Sequence, residues 1–221
     1  CALALDGRGV PHLTHYDLER RRLSYSTLDA LRLQWVTEVV DERGDVGRYH
    51  QLVLDGAGVP HAVYFDASDT RLKHARRGSS GWTAGVVDQE GHRGFHAHAV
   101  REANGQLLAV YSNEGAAKSN GPMKVHFARY DGSSWSLEGA VLDGHGPYRL
   151  QPGRDGAVHL LHLVDTRLAY SVRRDGKWRT EILTTHRPVL PNFNAAFALD
   201  GQDRPHVTYY DADDGALRLL Q

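Results

Sequence analysis

The chain has 221 residues and a formal net charge of −1, and 41% of its residues are hydrophobic. A chain of this size and hydrophobicity can bury a full core, which excludes a disordered tail or a disulfide-stapled miniprotein. The balanced charge excludes a general nucleic-acid binder, because neutralising phosphates requires a basic face, and no run of about 18 apolar residues could form a membrane-spanning helix.

The single cysteine is residue 1, and the single methionine is Met123. Cys1 is compatible with a lipidated mature N-terminus, a processed N-terminal nucleophile or the first residue of a fragment. We favour the fragment because residues 2–5 already have the pattern of a strand. We therefore expect a processed or trimmed product whose targeting signal lies outside this sequence.

A repeat of about 45 residues organises the chain. Its marker is an Asp-Gly pair that follows an apolar run and, in most copies, precedes Pro-His. The pair or its equivalent occurs at Asp6-Gly7, Asp55-Gly56, Asn104-Gly105, Asp155-Gly156 and Asp200-Gly201. Asp-Gly predicts a tight turn, because glycine accepts positive φ and aspartate caps its own turn. The copies predict one domain with repeats at about 1–43, 44–89, 90–142, 143–185 and 186–221.

Each copy contains four short segments of strand character. In the second copy we predict strands at 50–54, 61–65, 72–75 and 82–87. In four copies a tryptophan opens the fourth strand, at Trp35, Trp82, Trp135 and Trp178. A tryptophan repeated at this position is typical of packing between neighbouring sheets. Four antiparallel strands per repeat predict an all-β fold, a five-bladed β-propeller of four-stranded blades.

The fifth copy reaches only its third strand, at residues 217–221. We therefore expect the fifth blade to lack its outer strand in this chain. A propeller completes its last blade to remove open sheet edges. Three explanations are open: a strand that precedes Cys1 has been removed, one blade has three strands, or a partner chain or strand completes the fifth blade.

The repeat unit resembles a known family of propellers. The pattern Asp-Gly-x-Gly-x-Pro-His, then Leu-x-Tyr, then Asp-Gly-x-x-Trp is similar to the repeats of bacterial sialidase-type (BNR or Asp-box) propellers and of lectin-like propellers. The Asp-box itself is partly matched at residues 130–135 and 174–178. The resemblance implies a propeller, but function on such a fold depends on the site.

The segments that enter the inner strands vary in sequence, which is typical of a binding face. Each carries an arginine and an aromatic residue, and most add histidine or asparagine. The candidate ligand-binding residues are Arg48, Tyr49, His50, His92, Arg93, His96, His145, Tyr148, Arg149, His186, Arg187, Asn192 and Asn194. Arginine matches carboxylate, sulfate or phosphate with two parallel hydrogen bonds, and aromatic rings stack on sugars. In the alternative interpretation, the aromatic residues fill the core and the arginines are solvated.

Two kinds of carbohydrate enzyme were compared with these residues. A glycosidase needs two facing carboxylates, and these segments offer only Asp45, Glu90 and Asp143. A lyase that acts on uronic acids needs a base and a cation. If the chain is a lyase, its catalytic candidates are His50, His96, Tyr148 and Arg149, and some ulvan lyases are propellers of this general kind.

His96 and His98 are weak candidates for a metal pair, because alternate residues of a strand share a face. No third ligand is identifiable, so we predict no metal and no cofactor. Residues 112–122 form a longer connection than their counterparts and suit either a specificity loop or a surface insertion.

The sequence thus predicts a lectin-like recognition module for a carbohydrate or another anionic ligand, bacterial and secreted or displayed at the cell surface. An enzyme that acts on acidic polysaccharide is the second hypothesis. A protein-interaction platform, or a fragment of a larger propeller, is the third. We expect no nucleic-acid partner and no membrane span.

Overall fold

The computed structural model describes residues 1–29, 31–90, 93–113, 123–184, 195–211 and 213–221. These residues form five antiparallel sheets, numbered here as blades in chain order. Blade 1 contains β1 (Ala2–Leu5), β2 (Pro11–Asp17), β3 (Arg22–Asp29) and β4 (Gln34–Asp41). Blade 2 contains β5 (Val46–Leu54), β6 (Pro60–Asp66), β7 (Arg71–Gly78) and β8 (Gly81–Val86). Blade 3 contains β9 (Phe95–Arg101), β10 (Leu107–Ser112), β11 (Lys124–Tyr130) and β12 (Trp135–Asp143). Blade 4 contains β13 (His145–Pro152), β14 (Val158–Val164), β15 (Arg167–Arg174) and β16 (Lys177–Ile182). Blade 5 contains β17 (Ala195–Leu199), β18 (Pro205–Asp211) and β19 (Ala216–Leu220).

Within each blade the strands pair with their neighbours in sequence, which gives a meander. The first strands contact one another from blade to blade, so β1, β5, β9, β13 and β17 form the innermost layer. The prediction of an all-β, five-bladed propeller is confirmed. In blade 2 the inner strand begins at Val46, four residues before the predicted start at His50.

The hydrophobic core lies between the blades. The second strands β6 and β10 are buried along their whole length, because each sits in the middle of its sheet and is covered on both faces. The fourth strands β8 and β16 are mostly exposed. Each of the four buried clusters combines residues from two successive blades, so the packing of one blade on the next stabilises the fold.

Three of the four repeated tryptophans pack between blades as predicted, whereas Trp35 of blade 1 is 51% exposed. The Trp82 ring lies 5.2 Å from the ring of Tyr25 in blade 1. Trp135 lies 5.2 Å from His74 of blade 2, and Trp178 lies 4.9 Å from Phe127 of blade 3. A tryptophan that opens the fourth strand of one blade therefore covers the third strand of the blade before it.

The aspartates of the Asp-Gly turns cap their turns as predicted, but in blades 1 and 2 the positive φ lies two residues after the expected glycine, at Gly9 (79°) and Gly58 (77°) rather than at Gly7 and Gly56. The Asp55 carboxylate accepts hydrogen bonds from the backbone N–H groups of Ala57 and Val59, both at 2.9 Å. Asp6 and Asp200 repeat this arrangement. The histidine after the turn is held inside the blade, since His61 Nδ1 lies 2.9 Å from His74 Nε2. These histidines belong to the scaffold.

In blade 5 the described residues form three strands in the order β17-β18-β19. No helix in the described part of the chain is long and apolar enough to cross a membrane.

Candidate functional site

The inner strands of blades 2, 3 and 4 are all interrupted near their first residues. The register of β5 shifts between Val46 and Gln51, that of β9 opposite Val110 and Ser112, and that of β13 between His145 and Arg149. Such bulges turn side chains away from the regular alternation of a strand. In blades 2 and 4 the variable segments that enter the inner strands are therefore bulged strand starts, and in blade 3 the bulge begins at Phe95.

Two bulge residues have unusual backbone angles. Tyr49 has φ of 48° and His96 has φ of 54°. The left-handed region is unfavourable for residues other than glycine, and such strain persists only where the surrounding structure imposes it. Both residues belong to the predicted binding set, and their strained backbones mark the same place in the fold independently.

The two strained residues meet. The ring of Tyr49 lies 4.7 Å from the ring of His96, and the Tyr49 residue is 45% exposed. The rings of Phe65 and Phe95 pack against this pair. Their centroids lie 4.3 Å from each other, and 6.1 Å and 6.3 Å, respectively, from the centroid of the Tyr49 ring. The bulges of blades 2 and 3 thus present an accessible aromatic surface on a buried base.

Blade 4 approaches the same place through a glycine. A side-chain carbon built on Gly146 would lie 2.8 Å from His96 Cγ and 3.1 Å from Tyr148 Cε2. Only glycine leaves room for the imidazole there. The absence of a side chain at Gly146 therefore lets His96 pack directly on the start of β13.

Arg149 and His98 complete this region. Burial and, to a smaller extent, the positive charge of Arg149 together lower the pKa of His98 to about 4. Burial also lowers the pKa of Arg149, whose Nη1 donates a hydrogen bond to the carbonyl of Tyr148 at 3.0 Å. A neutral histidine therefore lies near a cation that water solvates incompletely. We call Tyr49, His96, His98 and Arg149 the inner-strand mouth.

Arg48 and His50 lie beside the mouth but are held by other groups. Arg48 forms an ion pair with Asp45 at 2.8 Å and stacks over the ring of Tyr16 in blade 1. His50 Nδ1 lies 2.7 Å from the carbonyl of Gly47, and its Nε2 lies 3.0 Å from the carbonyl of Thr14. Burial lowers the pKa of His50. The imidazole thus lies between a carbonyl oxygen of blade 2 and a carbonyl oxygen of blade 1, and it bridges the two blades.

The other predicted residues that the structure describes are also engaged elsewhere. Arg93 pairs with Asp88 at 3.0 Å. The ring nitrogens of His145 lie 2.8 Å and 2.9 Å from two backbone carbonyls, and Tyr148 is buried between blades 3 and 4. Of the predicted arginines, Arg48 and Arg93 are therefore paired with carboxylates, and Arg149 belongs to the mouth. The remaining predictions lie outside the described residues: His92, His186, Arg187, Asn192, Asn194 and most of the long segment at 112–122.

A buried charge cluster between blades was not recognised in the sequence. Asp41, at the end of β4, accepts hydrogen bonds from Tyr64 Oη at 2.7 Å and from Lys73 Nζ. Blades 2 and 3 repeat the tyrosine contact, with Tyr111 Oη donating to Asp88 at 2.8 Å. The sequence does indicate this contact, because successive repeats carry an aspartate at or just after the end of the fourth strand, at Asp41 and Asp88. These contacts fix neighbouring blades to each other at the same end of the propeller as the mouth.

A second concave surface lies at the other ends of the inner strands. A cleft of about 700 Å³ opens between the Asp-Gly turns of blades 1 and 2. Its lining includes Arg8, His12, Tyr25 and Arg77, and we call it the turn-face cleft. The sequence assigned these turns to the scaffold, but the cleft between them has the volume of a ligand site.

Among the described residues, no group of three histidine, cysteine, aspartate or glutamate side chains is placed to hold a metal ion. The histidines at positions 96 and 98 are separated by the bulge, and His96 packs on Tyr49 and Gly146.

Comparison with known proteins supports the fold. AofleA from Arthrobotrys oligospora has a TM-score of 0.64 at 13% identity, over 98% of this chain and 67% of that protein. The Hadza microbial sialidase Hz136 has a TM-score of 0.62 at 12% identity, over 99% and 57%. A polysaccharide lyase of family PL25, an ulvan lyase, has a TM-score of 0.56 at 12% identity, over 98% and 62%.

These three proteins are longer than this chain, which spans less than two thirds of the sialidase and the ulvan lyase. At these identities the similarities show the fold. Two of the three proteins are carbohydrate-processing enzymes by name. No protein-family model matches the sequence, and no curated protein matches it.

Proposed function

We propose that this chain is a carbohydrate-recognition propeller that binds an acidic saccharide at the inner-strand mouth. One observation carries the proposal: the bulges of β5 and β9 bring the rings of Tyr49 and His96 to 4.7 Å, and Arg149, at the bulged start of β13, lies close enough to His98 to lower its pKa. Bulges at the same point of several strands are typical of a functional site, because the regular strands around them hold the bulged residues in place.

The chemistry of these groups suits an acidic sugar. The ring of Tyr49, a residue that is 45% exposed, offers an apolar face to the C–H groups of a pyranose. Arg149 offers a planar fork for a carboxylate or a sulfate. Burial leaves the charge of Arg149 poorly solvated in the free protein, and this lowers its pKa. An anion that reaches it would replace missing solvation, which favours acidic over neutral ligands.

The comparisons support the broad class of ligand. The sialidase and the ulvan lyase are named for their action on carbohydrates, and one structure of the lyase contains a GlcA(1-4)Rha3S saccharide. Recognition of a uronic or sulfated sugar outside the cell is our proposal for this chain.

Isothermal titration calorimetry with paired oligosaccharides of equal length tests the proposal. One member of each pair carries uronic acids or sulfates, and the other is neutral. We expect the acidic member to bind more tightly, and Arg149→Gln to weaken its binding by roughly tenfold or more, the range of a charge-assisted hydrogen bond. Tyr49→Ala should weaken both members of a pair, whereas Tyr49→Phe should retain most of the affinity.

Arg179→Gln is the matched control, because Arg179 is exposed on the outer strand β16. If Arg149→Gln and Arg179→Gln behave alike, the acidic-ligand proposal is wrong.

A lyase is the second candidate, favoured by the placement of a histidine, a tyrosine and an arginine at one mouth. A lyase base removes the proton next to the uronate carboxylate, the electron pair forms a double bond, and the glycosidic oxygen leaves. A cation stabilises the developing charge on the carboxylate. Of the predicted bases, His96 is the one at the mouth, since His50 is held by two carbonyls and Tyr148 is buried.

The two candidates are separated by following the ultraviolet absorbance of an unsaturated product during incubation with uronic-acid polysaccharide. A lyase would produce this absorbance and lose it on His96→Gln while retaining substrate binding. A recognition module would bind the polysaccharide and leave it unchanged in length.

A further inference from the structure

A glutamate follows the fourth-strand tryptophan by three residues in three of the four four-stranded blades. These glutamates are Glu38, Glu138 and Glu181, and the corresponding residue of blade 2 is Gly85. Blade 2 therefore departs from a pattern that the other four-stranded blades share.

Where two successive blades meet, this glutamate binds arginines. Glu38 of blade 1 pairs with Arg77 of blade 2 at 2.6 Å. Glu138 of blade 3 pairs with Arg173 of blade 4 at 2.7 Å, and it also pairs with Arg129 of its own blade. A carboxylate three residues after the tryptophan is therefore the acidic half of an ion pair between blades.

The contact between blades 2 and 3 lacks both halves of this ion pair. Gly85 supplies no carboxylate, and a carbon built on it has nothing within 4 Å, so the space of the missing side chain is open. Tyr130 stands where the other contacts have their arginine, because its partner on the neighbouring strand is the tryptophan of its own blade. Arg77 and Arg173 have the same relation to their tryptophans. The glutamate and its arginine are thus replaced together.

The indole N–H at this position is also left without an acceptor. Between blades 1 and 2, Trp82 Nε1 donates a hydrogen bond to Glu38 at 3.0 Å. Between blades 2 and 3, Trp135 Nε1 is buried and has no acceptor within the part of the chain that the structure describes. Buried donors in native proteins are almost always paired, so this N–H marks a place where an acceptor is missing.

A cavity of about 370 Å³ lies at this place. Its lining includes His74, Arg76, Gly85, Tyr130 and Trp135, and we call it the joint cavity. The ring of His74 lies 4.9 Å from that of Tyr130 and 5.2 Å from that of Trp135, which gives the cavity an aromatic wall. Its volume is within the range of small-molecule sites.

Arg76 brings a positive charge to the joint cavity. It occupies the place in blade 2 that Arg129, a partner of Glu138, occupies in blade 3, because each pairs with the residue after the tryptophan. Arg76 is exposed and forms no ion pair with a carboxylate of the described residues. Burial is the main cause of the low pKa of His74, about 3, and the charge of Arg76 contributes to it, so this charge lies near the cavity wall. The cavity therefore combines a cation with the open space of a missing carboxylate.

We propose that the joint cavity binds a ligand with one carboxylate on a six-membered ring, and that this carboxylate takes the place of the glutamate that blade 2 lacks. The carboxylate pairs with Arg76, and the ring of the ligand lies against the aromatic wall. A small turn of the Trp135 ring directs its N–H, which is covered in the free protein, to the bound carboxylate. Uronic acids and aromatic acids share this chemistry. No residue of the inner-strand mouth takes part, so this site is independent of the one proposed above.

Nuclear magnetic resonance of the indole N–H groups tests the proposal. Trp135 reports on the joint cavity, and Trp178, between blades 3 and 4, is the control in the same spectrum. The Trp135→Phe chain identifies the Trp135 signal. The probes are two matched pairs, glucuronate with glucose and benzoate with benzamide. We expect glucuronate, benzoate or both to shift the Trp135 signal in a saturable way, whereas glucose and benzamide leave it unchanged and the Trp178 signal stays constant. The pair that shifts the signal identifies the source of the carboxylate.

Substitutions at the cavity sharpen this test. Arg76→Gln should weaken binding of the carboxylate by about tenfold or more, as expected for a charge-assisted hydrogen bond, whereas Arg179→Gln on the outer strand β16 should not. Gly85→Glu restores the glutamate of the other blades and should abolish binding, because its own carboxylate then fills the site. Gly85→Ala, which adds no carboxylate, should retain binding.

Arg76 and Gly85 are both exposed, and circular dichroism with a thermal melt confirms that each variant is folded. A Trp135 signal that no probe shifts would overturn the proposal, and so would equal shifts with both members of each pair. Binding that persists in Gly85→Glu, or that is as tight in Arg76→Gln as in Arg179→Gln, contradicts the proposed contact. None of these results depends on Arg149, so failure at this site is distinguishable from failure of the saccharide proposal.

Discussion

At the scale of single residues, stability depends on a few polar groups buried between blades. Burial raises the pKa of Asp41, but hydrogen bonds from Lys73 and Tyr64 outweigh it and leave the pKa below its ordinary value. Burial and the neighbouring Asp41 carboxylate raise the pKa of Tyr64, so its hydroxyl stays protonated and donates. A buried carboxylate that loses one of these donors is left partly unsatisfied.

Tyr64→Phe removes this donor with little change in volume. We expect a loss of about 1–3 kcal/mol in the free energy of unfolding, measured by urea denaturation. Tyr111→Phe should behave similarly, because Tyr111 makes the equivalent contact with Asp88. Tyr210→Phe, at a residue that is 40% exposed, is the control and should change stability little. A Tyr64→Phe protein as stable as the control would mean that the carboxylate does not need the hydroxyl.

Buried histidines make stability sensitive to acid. Burial, together with the charge of Arg93, lowers the pKa of His126 to about 4, and its ring stacks on Tyr111. The unfolded chain binds this proton near pH 6.5, whereas the folded protein resists it until about pH 4. The unfolded state therefore holds more protons in this window, and stability falls as the pH drops through it.

His126→Phe should flatten the dependence of stability on pH between about 6.5 and 4, because phenylalanine takes up no proton. Thermal melts at a series of pH values across this range measure the effect. Above pH 7, the change of stability with pH should be the same in the variant and in the unmodified protein. Equal slopes in the acid range would show that His126 contributes nothing to acid sensitivity.

Residue-level contacts were only partly predictable. The Asp-Gly turns and the packing of the tryptophans followed from residue type and repeat position. The ion pair of Arg48 with Asp45 and the wedging of His50 between two carbonyls depend on how blades 1 and 2 approach each other, which the order of residues does not reveal.

At the scale of elements, the strands could be predicted from alternating apolar and polar residues and from the turn residues between them, but the bulges could not. Tyr49 and His96 both have positive φ. Tyrosine does not favour this region, and histidine adopts it more readily, but a single histidine does not predict it, so the distortion could not be predicted from the local sequence. The close approach of one blade to the next imposes the positive φ at both residues. Gly47 and Gly94, at equivalent places in β5 and in the segment before β9, lie against Leu23 and Leu72 of the preceding blades.

Gly94→Ala tests this packing. The added carbon would lie 2.9 Å from the backbone of Leu72, at a φ of +106°. We expect a loss of at least about 2 kcal/mol in the free energy of unfolding, from strain and overpacking together. Gly85→Ala in the exposed strand β8 is the matched control, because nothing lies within 4 Å of its added carbon. Equal stability of the two variants would show that the blades adjust without cost.

At the scale of the whole molecule, the repeat predicted five blades and their order, since its period fixes the architecture before any local detail. The exposure of apolar side chains in blades 1 and 5 was not predictable, because the repeat carries the same residue types there as at the joints between blades. Only the packed structure shows that Leu3 and Leu219 are 61% and 56% exposed.

The central claim is that the inner-strand mouth binds an acidic saccharide. A crystal structure of the chain with a uronic-acid oligosaccharide tests it most directly. The account predicts saccharide density over the ring of Tyr49, with a carboxylate or sulfate at the guanidinium of Arg149. Density in the turn-face cleft beside Arg77 and His12, with the mouth empty, would contradict it.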